Sequence, residues 1–464
     1  MRALLWWVLS LLVAGCHSQA PPEQPIRRPK AVVLITIDTW RADALSFARG
    51  GPVTTPFLDS LASTGTVFTR AYSTSSWTAP AMASLMTGMW PQSHGVRRGR
   101  VGGLGTNGAV TVLRQPILSD SFAMLAEKLK QARFGTIGVA ANMHLSGTLG
   151  FAQGFDRYFG DGFVDATDVN ARAIRFLREQ YGEAWRTRWR VDPTFLWLHY
   201  FDPHMPYEAR KPWIQTYAPD FAAHPQDYPT KADAPELLRK YLPATVEKAA
   251  PLLALYRSEV RYVDEQIRKL NDEIHFDDPE VLLIVTADHG EELGEHGGLG
   301  HAATLYEEVV RVPLFVRWPA ALPGGRVVEQ PVSLVDLYPT IVDLVGGDSR
   351  VQGRLLPLRR EGEPPPRPLL MQTDRARPPL EGVVDGSWKL IRPSSNRTSR
   401  ELYDLASDPA ERIDRPATDP AVSERLAGFL DRELGALPPP PSDAEYRPLG
   451  DAAAVERLRA LGYE

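Results

Sequence analysis

The sequence predicts an α/β protein built on a mostly parallel sheet that helices cover on both faces, followed by a smaller antiparallel sheet with a helix of its own. The first observation is a set of four short apolar runs rich in strand-forming residues, over residues 31–37, 134–140, 194–201 and 281–287. The second is a set of helix-like stretches between them, over residues 118–133, 168–181 and 249–274. Strands that alternate with helices indicate a parallel sheet buried on both faces.

The third observation is a change in the sequence pattern after residue 347. The segments LLMQTD, EGVVDGSWKLIRP and RELYDL have the pattern of short strands separated by turns, which predicts an antiparallel sheet. A helix is expected over residues 421–433 and, after the run PPPP, a last short helix over residues 451–464. The predicted organisation is a large domain over residues 31–347, a C-terminal subdomain over residues 348–436 and a tail over residues 437–464.

The N-terminus has the pattern of a secretory leader, predicted over residues 1–15. One early positive charge precedes an apolar run from Ala3 to Val13, which is shorter than the roughly 20 residues that a membrane span needs. The segment LVAGC resembles a bacterial lipobox, which implies lipidation at Cys16, although a plain signal peptide with a chance cysteine is the alternative. His17 rather than Asp favours an outer-membrane lipoprotein, periplasmic or surface-facing. Residues 16–30 are Pro-rich, as expected of a tether.

Composition excludes several classes of function. The net charge is −5 and the pI is about 6.1, which gives no indication of a nucleic-acid partner. Cys16 is the only cysteine, which excludes a disulfide framework, a thiolate metal site and a thiol nucleophile. Any covalent catalysis must therefore use another side chain.

Polar residues follow the predicted strands, and ligands of parallel sheets collect beyond the carboxyl ends of the strands. Asp38 ends the first strand, where an aspartate is equally consistent with a metal ligand and with a turn. Asp288 and His289 directly follow the strand over residues 281–287. A carboxylate beside an imidazole suits Zn²⁺, Mn²⁺ or Mg²⁺. A Gly-rich loop then carries His296 and His301, together with two glutamates.

A further set of polar residues lies at the end of the strand over residues 194–201. His199, Asp202 and His204 lie at its end, on a turn that two prolines stiffen. We expect them to line a pocket, and the spacing assigns no role to any of them. Residues 205–248, rich in Pro, Tyr and Lys, are predicted to form an insertion over the site, which could act as a lid.

Thr78 precedes a short helical stretch, APAMASLM, and is predicted at its N-cap with Pro80 in the first turn. A helix N-terminus attracts anions through its free N–H groups. A hydroxyl placed there beside a divalent metal can ionise and attack phosphorus. The alternative is that Thr78 only caps the helix.

Together these segments resemble the sulfatase branch of the alkaline phosphatase superfamily. The resemblance covers nearly the whole chain beyond the tether, in family order, through the segments VVLITIDTWRAD, WTAPAMASLMTGMWPQSHGV, GFAQGFDRY, HYFDPHMPY, TADHGEELGEHG, LYEEVVRVPLFVRWP, VSLVDLYPTIVDLVG, DGSWKLI and ELYDLASDPAE. It implies an alkaline-phosphatase-like fold, with a catalytic domain over residues 31–347.

The resemblance also implies roles for individual residues. The metal ligands would be Asp38, Asp288 and His289, with Thr78 as the nucleophile and fourth ligand. His204 matches a substrate-side histidine and is a candidate acid for the leaving group. The cofactor is one divalent ion, Zn²⁺, Mn²⁺, Mg²⁺ or Ca²⁺. A further set of side chains could hold a second metal or bind substrate: His199, Asp202, His296 and His301.

The chain also departs from the sulfatase pattern. Sulfatases carry Cys or Ser where this chain has Thr78, and they oxidise it to formylglycine, whereas threonine would give a ketone. Met82 stands at the position of an activating arginine, and His301 at about the position of a substrate-binding lysine. Thr39 replaces the second aspartate of the usual pair beside Asp38. The residues that would bind the metal are present, but the residues that would supply the aldehyde and the two positive charges are replaced.

A threonine nucleophile resembles the phosphorus branch of the superfamily. The leading prediction is therefore hydrolysis of phosphate mono- or diesters through a covalent phospho-threonine at Thr78, with a small-molecule, lipid-linked or glycan-linked anionic ester as substrate. One alternative is a sulfate ester hydrolase without formylglycine. A second is a phosphoglycerol or phosphoethanolamine transferase, although such transferases usually carry several membrane-spanning helices. A third is a non-catalytic envelope lipoprotein that binds a partner.

Overall fold

A computed structural model describes residues 27–46, 53–98, 100–104, 110–228, 240–359, 365–441 and 445–448. The predicted leader, Cys16, most of the tether and the helix expected over residues 451–464 lie outside these ranges. Across the described ranges, the helices are all too short or too polar to span a bilayer.

Strands and helices alternate along the first part of the chain. The strands are β1 Ala31–Ile37, β2 Thr66–Tyr72, β3 Arg100–Leu104, β4 Val110–Pro116, β5 Gly135–Ala140, β6 Arg157–Phe159, β7 Thr194–Tyr200, β8 Val281–Ala287, β9 Glu292–Leu293, β10 Leu299–Gly300, β11 Arg311–Arg317, β12 Arg326–Val328, β13 Val332–Ser333, β14 Leu369–Thr373, β15 Leu380–Asp385, β16 Trp388–Pro393, β17 Glu401–Asp404 and β18 Tyr446–Pro448. The α-helices are α1 Pro56–Ala62, α2 Thr78–Thr87, α3 Pro91–His94, α4 Leu125–Gln131, α5 Ala166–Tyr181, α6 Trp185–Arg188, α7 Ile214–Tyr217, α8 Ala250–Ile274, α9 Glu307–Val310, α10 Leu337–Leu344 and α11 Pro420–Ala436.

The central sheet has the strand order β12-β2-β11-β8-β1-β7-β5-β6, with β13 also paired to β2. The run from β8 to β6 is parallel throughout, and β11 is antiparallel to both of its neighbours. The mostly parallel sheet predicted from the sequence is confirmed, and its four central strands lie where the apolar runs indicated. Every residue of β1, β7 and β8 is buried, as expected of strands covered on both faces.

One predicted helix is much shorter than expected. The stretch over residues 118–133 was expected to be helical throughout, but only α4 forms within it. The amide of Leu118 donates to the carbonyl of Leu149, and the amide of Ile117 donates to the carbonyl of Glu445. The backbone before α4 therefore pairs with distant segments, and this tertiary pairing replaces the local helix.

The register of the central strands brings their carboxyl ends to one edge. Ile37 at the end of β1 lies opposite Tyr200 of β7 and Ala287 of β8. On the other side of β7, Ala140 at the end of β5 lies opposite His199. Residues that directly follow β1, β5 and β8 therefore emerge side by side.

The predicted insertion over residues 205–248 is described on both sides of residues 229–239. Its helix α7 packs against α8, where the ring of Trp213 lies 6.1 Å from that of Tyr262. The role of a lid remains a prediction.

The C-terminal part forms the antiparallel sheet β14-β15-β16-β17, against which α11 packs. Both elements were predicted from the sequence. A buried ion-pair network joins this sheet to the first part of the chain. Lys389 in β16 is fully buried, and its ammonium lies 3.1 Å from the carboxylate of Glu307 in α9 and 2.9 Å from that of Glu411.

Replacement of Lys389 by methionine is expected to lower the free energy of unfolding by about 3–5 kcal/mol, because two buried carboxylates lose their counter-charge. Urea unfolding followed by circular dichroism measures the change. Lys248→Met, at an exposed lysine, serves as the control and should leave the midpoint unchanged. If Lys389→Met unfolds at the wild-type midpoint, the network does not stabilise the junction.

Candidate active site

Side chains from three strand ends meet at the edge of the central sheet. Asp38 follows β1, Asp288 and His289 follow β8, and His199 projects from β7. Ligand atoms of Asp38, His199 and Asp288 all lie within 4.8 Å of one another, and all three side chains are fully buried. The structure thus brings together residues that are far apart in the sequence, as their positions after the strands predicted.

The two carboxylates are held in matching ways. Asp38 accepts a 2.7 Å hydrogen bond from Asn142 through Oδ2, while its Oδ1 is buried without a hydrogen-bond partner. Asp288 accepts the amides of Thr39 and His289 through Oδ1, at 3.3 and 2.8 Å, while its Oδ2 is buried without one. Each carboxylate therefore has one oxygen fixed by protein donors and one oxygen left open.

His289 faces both open oxygens. Its Nε2 lies 3.5 Å from Asp38 Oδ1 and 3.3 Å from Asp288 Oδ2. Its Nδ1 lies 2.9 Å from the carbonyl of Gly290. A carbonyl can only accept, so Nδ1 carries a proton, and a neutral ring then presents the lone pair of Nε2 to the carboxylates. Three electron-rich atoms thus converge on one point, an arrangement that fits a divalent cation.

The electrostatics of the carboxylate pair lead to the same conclusion. Burial raises the pKa of Asp288 well above its usual value, and the nearby charge of Asp38 raises it further. Burial opposes the ionisation of Asp38 too, but a hydrogen bond with His199 and the charges of His204 and His289 hold its pKa below the usual range. Two buried carboxylates this close need a compensating positive charge.

Thr78 lies at the first residue of α2, one position later than the N-cap predicted from the sequence. Trp77 is the N-cap, with extended backbone and no side-chain capping bond. The Thr78 hydroxyl points to the metal site instead, with Oγ1 at 3.4 Å from His289 Nε2 and at 3.4 Å from Asn142 Nδ2. All ten residues of α2 are buried, so its N-terminus is fixed against the site.

Asn142 is the residue that sequence reasoning missed. It follows β5 by two positions and bridges Asp38 and Thr78 through its side-chain amide. Its Oδ1 accepts the amide of His144 at 2.9 Å, which fixes the orientation of the amide group. The signal was present, because β5 ends at the same edge as β1 and β8, but no charged residue marks the position.

A group of histidines lies next to the carboxylates. The ring of His301 lies 4.5 Å from that of His289 and 4.8 Å from that of His204, and its Nδ1 lies 2.9 Å from Glu291. His199 places Nε2 at 3.4 Å from Asp38 and Nδ1 at 2.9 Å from the hydroxyl of Thr36. The structure thus brings His199, His204 and His301 close to the candidate metal site, and their role in binding substrate or a second metal stays a prediction.

The protonation of this group is set mainly by burial. Burial lowers the pKa of His204 to about 4, so its ring is neutral at pH 7 in the free protein. Burial also lowers the pKa of His301 well below its usual value and raises that of Glu291 to about 7. An anion bound beside His204 would raise its pKa and let the ring hold a proton.

Two of the predicted residues are engaged elsewhere. Asp202 places Oδ1 at 2.7 Å from Arg210 and accepts the amide of Ala166 through Oδ2 at 2.9 Å. His296 places Nδ1 at 2.7 Å from Glu308, and its ring stacks on Tyr306 at 3.7 Å. Within the ranges that the structure covers, neither residue joins a group of three or more metal-ligating side chains. Structural contacts occupy both side chains, and a role of either in binding substrate or a second metal stays a prediction.

The fold and the site define an ester hydrolase of the alkaline phosphatase superfamily, whose enzymes use a divalent metal. The family model described as Sulfatase matches residues 30–347, which is more than half of the chain. The chain therefore belongs to the sulfatase family. A second model, described as N-sulphoglucosamine sulphohydrolase, C-terminal, matches residues 294–429.

Known proteins share both sequence and fold with this chain. The uncharacterized sulfatase YidJ of Escherichia coli K12 is 25% identical over 436 residues, which cover 83% of this chain and 82% of that protein. A protein solved in complex with its substrate D-glucosamine-2-N,6-O-disulfate has a TM-score of 0.67 at 19% identity, covering 88% of this chain and 98% of that one. The phosphonate monoester hydrolase of Agrobacterium radiobacter has a TM-score of 0.64 at 22% identity, covering 88% and 95%. The protein is a sulfatase-family hydrolase of anionic esters.

The site geometry predicts that Asp288→Asn abolishes metal binding, because one of the two open oxygens becomes an amide. We expect the affinity for Mn²⁺ or Zn²⁺ to fall by more than about 100-fold. Metal content after dialysis, measured by mass spectrometry, and calorimetric titration of the apo-protein check this. Asp348→Asn, at an exposed aspartate, is the matched control and should retain the metal. A wild-type metal content in Asp288→Asn would rule out this site.

Proposed function

We propose that the protein hydrolyses phosphate mono- or diesters with Thr78 as the nucleophile. The observation that carries the proposal is the position of the Thr78 hydroxyl, 3.4 Å from both His289 Nε2 and Asn142 Nδ2, at the N-terminus of a fully buried helix. The hydroxyl thus lies beside the two open carboxylate oxygens, where an anionic ester would meet the N–H groups of α2.

The residues around Thr78 favour phosphorus over sulfur chemistry. A threonine cannot supply the aldehyde on which family members with Cys or Ser depend. Met82, at the position where the sulfatase pattern has an arginine, is apolar and completely buried in α2. His301, near the position of the patterned lysine, is bound to Glu291. An alcohol nucleophile beside a metal site is instead a recurring arrangement for displacement at phosphorus.

Asp38, Asp288 and His289 would hold a divalent cation, with His199 and the Thr78 hydroxyl as further ligands. When bound, the cation would lower the pKa of the Thr78 hydroxyl and offset charge on the ester oxygens. Asn142 orients both Asp38 and Thr78 through its amide. The α2 N-terminus attracts the developing negative charge.

The reaction divides into two displacements at phosphorus. In the first, Thr78 Oγ1, having released its proton to solvent, forms a bond to phosphorus while the bond from phosphorus to the leaving oxygen breaks. His204 donates a proton to that oxygen, once the bound anion has raised the pKa of its ring. In the second, water attacks phosphorus while the bond from phosphorus to Thr78 Oγ1 breaks, and one proton of the water passes to the neutral ring of His204. Thr78 Oγ1 takes a proton from solvent, and phosphate leaves from a monoester or a phosphate monoester from a diester. In support of a phosphorus ester as substrate, a protein that shares this fold is the phosphonate monoester hydrolase of Agrobacterium radiobacter.

A second candidate is hydrolysis of sulfate esters without formylglycine. Membership of the sulfatase family favours it, as does the fold shared with the protein that binds a glucosamine disulfate. Against it stands Thr78, which lacks the usual means of expelling sulfate. A transferase and a non-catalytic binding protein are the remaining alternatives.

Activity on aryl sulfate, aryl phosphate and bis-aryl phosphate tests these candidates in one experiment. We expect turnover of the phosphate esters in the metal-loaded wild-type protein, and a fall in kcat/KM of about 10³ or more in Thr78→Ala. Thr78→Ser should retain part of the activity, because it keeps an alcohol. Mass spectrometry after acid quenching should find the phosphoryl adduct on the peptide that contains Thr78.

Thr87→Ser, at the other end of the same buried helix, is the control for damage to α2 and should behave as wild type. Sulfate turnover that depends on Thr78, with no phosphate turnover, would overturn the proposal. Transfer to an added alcohol in place of water would identify a transferase. No turnover on any ester would support the binding protein.

We also propose that Cys16 is lipidated and anchors the protein in the outer membrane, on the basis of the leader and the lipobox-like segment. In cells that express the full chain, a palmitate analogue should label the wild-type protein and not Cys16→Ala, which should move to the soluble fraction. Ser18→Ala is the control and should keep the label. Labelled Cys16→Ala, or unlabelled wild type in the soluble fraction, would exclude the anchor.

A further inference from the structure

The C-terminal sheet reaches the loop that carries Thr78. At the end of β14 the amide of Gln372 donates to the carbonyl of Thr74 at 3.0 Å, and the hydroxyl of Thr373 donates to the carbonyl of Ala302 at 2.7 Å. Ala302 in turn donates its amide to the carbonyl of Ser76 at 2.8 Å. The strand end is therefore fixed directly against residues 74–76, just before the nucleophile.

This attachment places Arg375 against Trp77, the residue directly before the nucleophile. Arg375 follows β14 by two residues, and its neighbour Asp374 is fixed by a 2.7 Å ion pair with Arg97. The guanidinium carbon of Arg375 lies 4.2 Å from the ring centroid of Trp77. Trp77 is completely buried and directly precedes Thr78. A cation–π contact of this kind holds the plane of a guanidinium in place.

The charge of Arg375 contributes to lowering the pKa of two buried histidines, His144 and His301. After burial, which is the largest effect, this charge is the next cause that lowers the pKa of His144, whose ring meets Trp77 edge-on at 5.6 Å. It also contributes to lowering the pKa of His301, on the side of the site that faces His289. Two histidines on different loops thus lie within reach of the same guanidinium.

A fixed positive charge beside the metal stabilises a bound anionic ester, and the two positions where the sulfatase pattern supplies one carry Met82 and His301. We propose that Arg375 supplies this charge, as a substrate-binding residue whose guanidinium donates to the non-bridging oxygens of the ester group next to Thr78. The inference deepens the proposed function and rests on an anionic ester at Thr78. It makes the C-terminal subdomain part of the substrate site.

The chemistry of the guanidinium suits this role. Its planar set of N–H donors matches two oxygens of a phosphate or a sulfate at once, which an ammonium cannot do. Because the ring of Trp77 already holds the group, little side-chain freedom is lost when the anion binds.

The test is equilibrium binding of inorganic phosphate, sulfate and orthovanadate to the metal-loaded full chain, measured by calorimetry without any turnover. Arg375→Met should weaken binding by about 10- to 100-fold, as expected for loss of a charge-assisted hydrogen bond. Arg375→Lys should fall between that variant and the wild type, because it keeps the charge without the paired donors. Arg377→Met, at an exposed arginine two residues further on, is the matched control and should bind as the wild type does.

Unchanged anion affinity in Arg375→Met overturns the inference, as does an equal loss in Arg377→Met. A lower melting temperature in Arg375→Met with unchanged affinity overturns it in favour of a structural role under Trp77. The measurement is separate from the esterase test of Thr78. If wild type fails to turn over phosphate esters and Arg375→Met still loses anion affinity, the proposed reaction falls and the anion-binding role of Arg375 stands.

Discussion

Two buried carboxylates on adjacent strands are the constraint on which the rest of this structure depends. Asp38 and Asp288 follow β1 and β8, and each keeps one oxygen without a protein donor. Burial of such a pair in its ionised form is energetically unfavourable unless a cation lies between the two carboxylates. Asn142 and the amides of Thr39 and His289 fix the remaining oxygens. His289 points its Nε2 at the open ones. The register of three parallel strands makes that geometry reproducible.

The arrangement around the nucleophile depends on a second contact, between the two parts of the chain. The loop before α2 is tied to β14 and to the loop after β10, so the position of Thr78 depends on residues from all three regions. Lys389 adds a buried charge network at the same junction. The site therefore depends on the C-terminal sheet as well as on the parallel sheet. Substitutions in the C-terminal sheet can change the position of Thr78.

Most of the fold could be predicted from the sequence, because its signals are local. Apolar runs located β1, β5, β7 and β8, and the polar residues after β1 and β8 indicated where the candidate metal site would lie. Asn142 was missed because an uncharged amide after a strand has no distinctive pattern, and Arg375 because its place beside Trp77 arises from a contact between distant segments. Asp202 and His296 are predicted in the site because they follow strands that end at it. Their position in the sequence cannot reveal that Asp202 pairs with Arg210 and His296 with Glu308.

The connection between β14 and the nucleophile loop has a consequence for biosynthesis. Chains emerge with the N-terminus first, and domains generally fold as units in that order. The parallel sheet and all its metal-site residues are made before β14 appears, so a partly made chain holds the carboxylates and Thr78 without the segment that fixes the nucleophile loop. The complete site can form only when the last quarter of the chain has been released. A protein that crosses a membrane before folding would thus gain its complete site only on the far side.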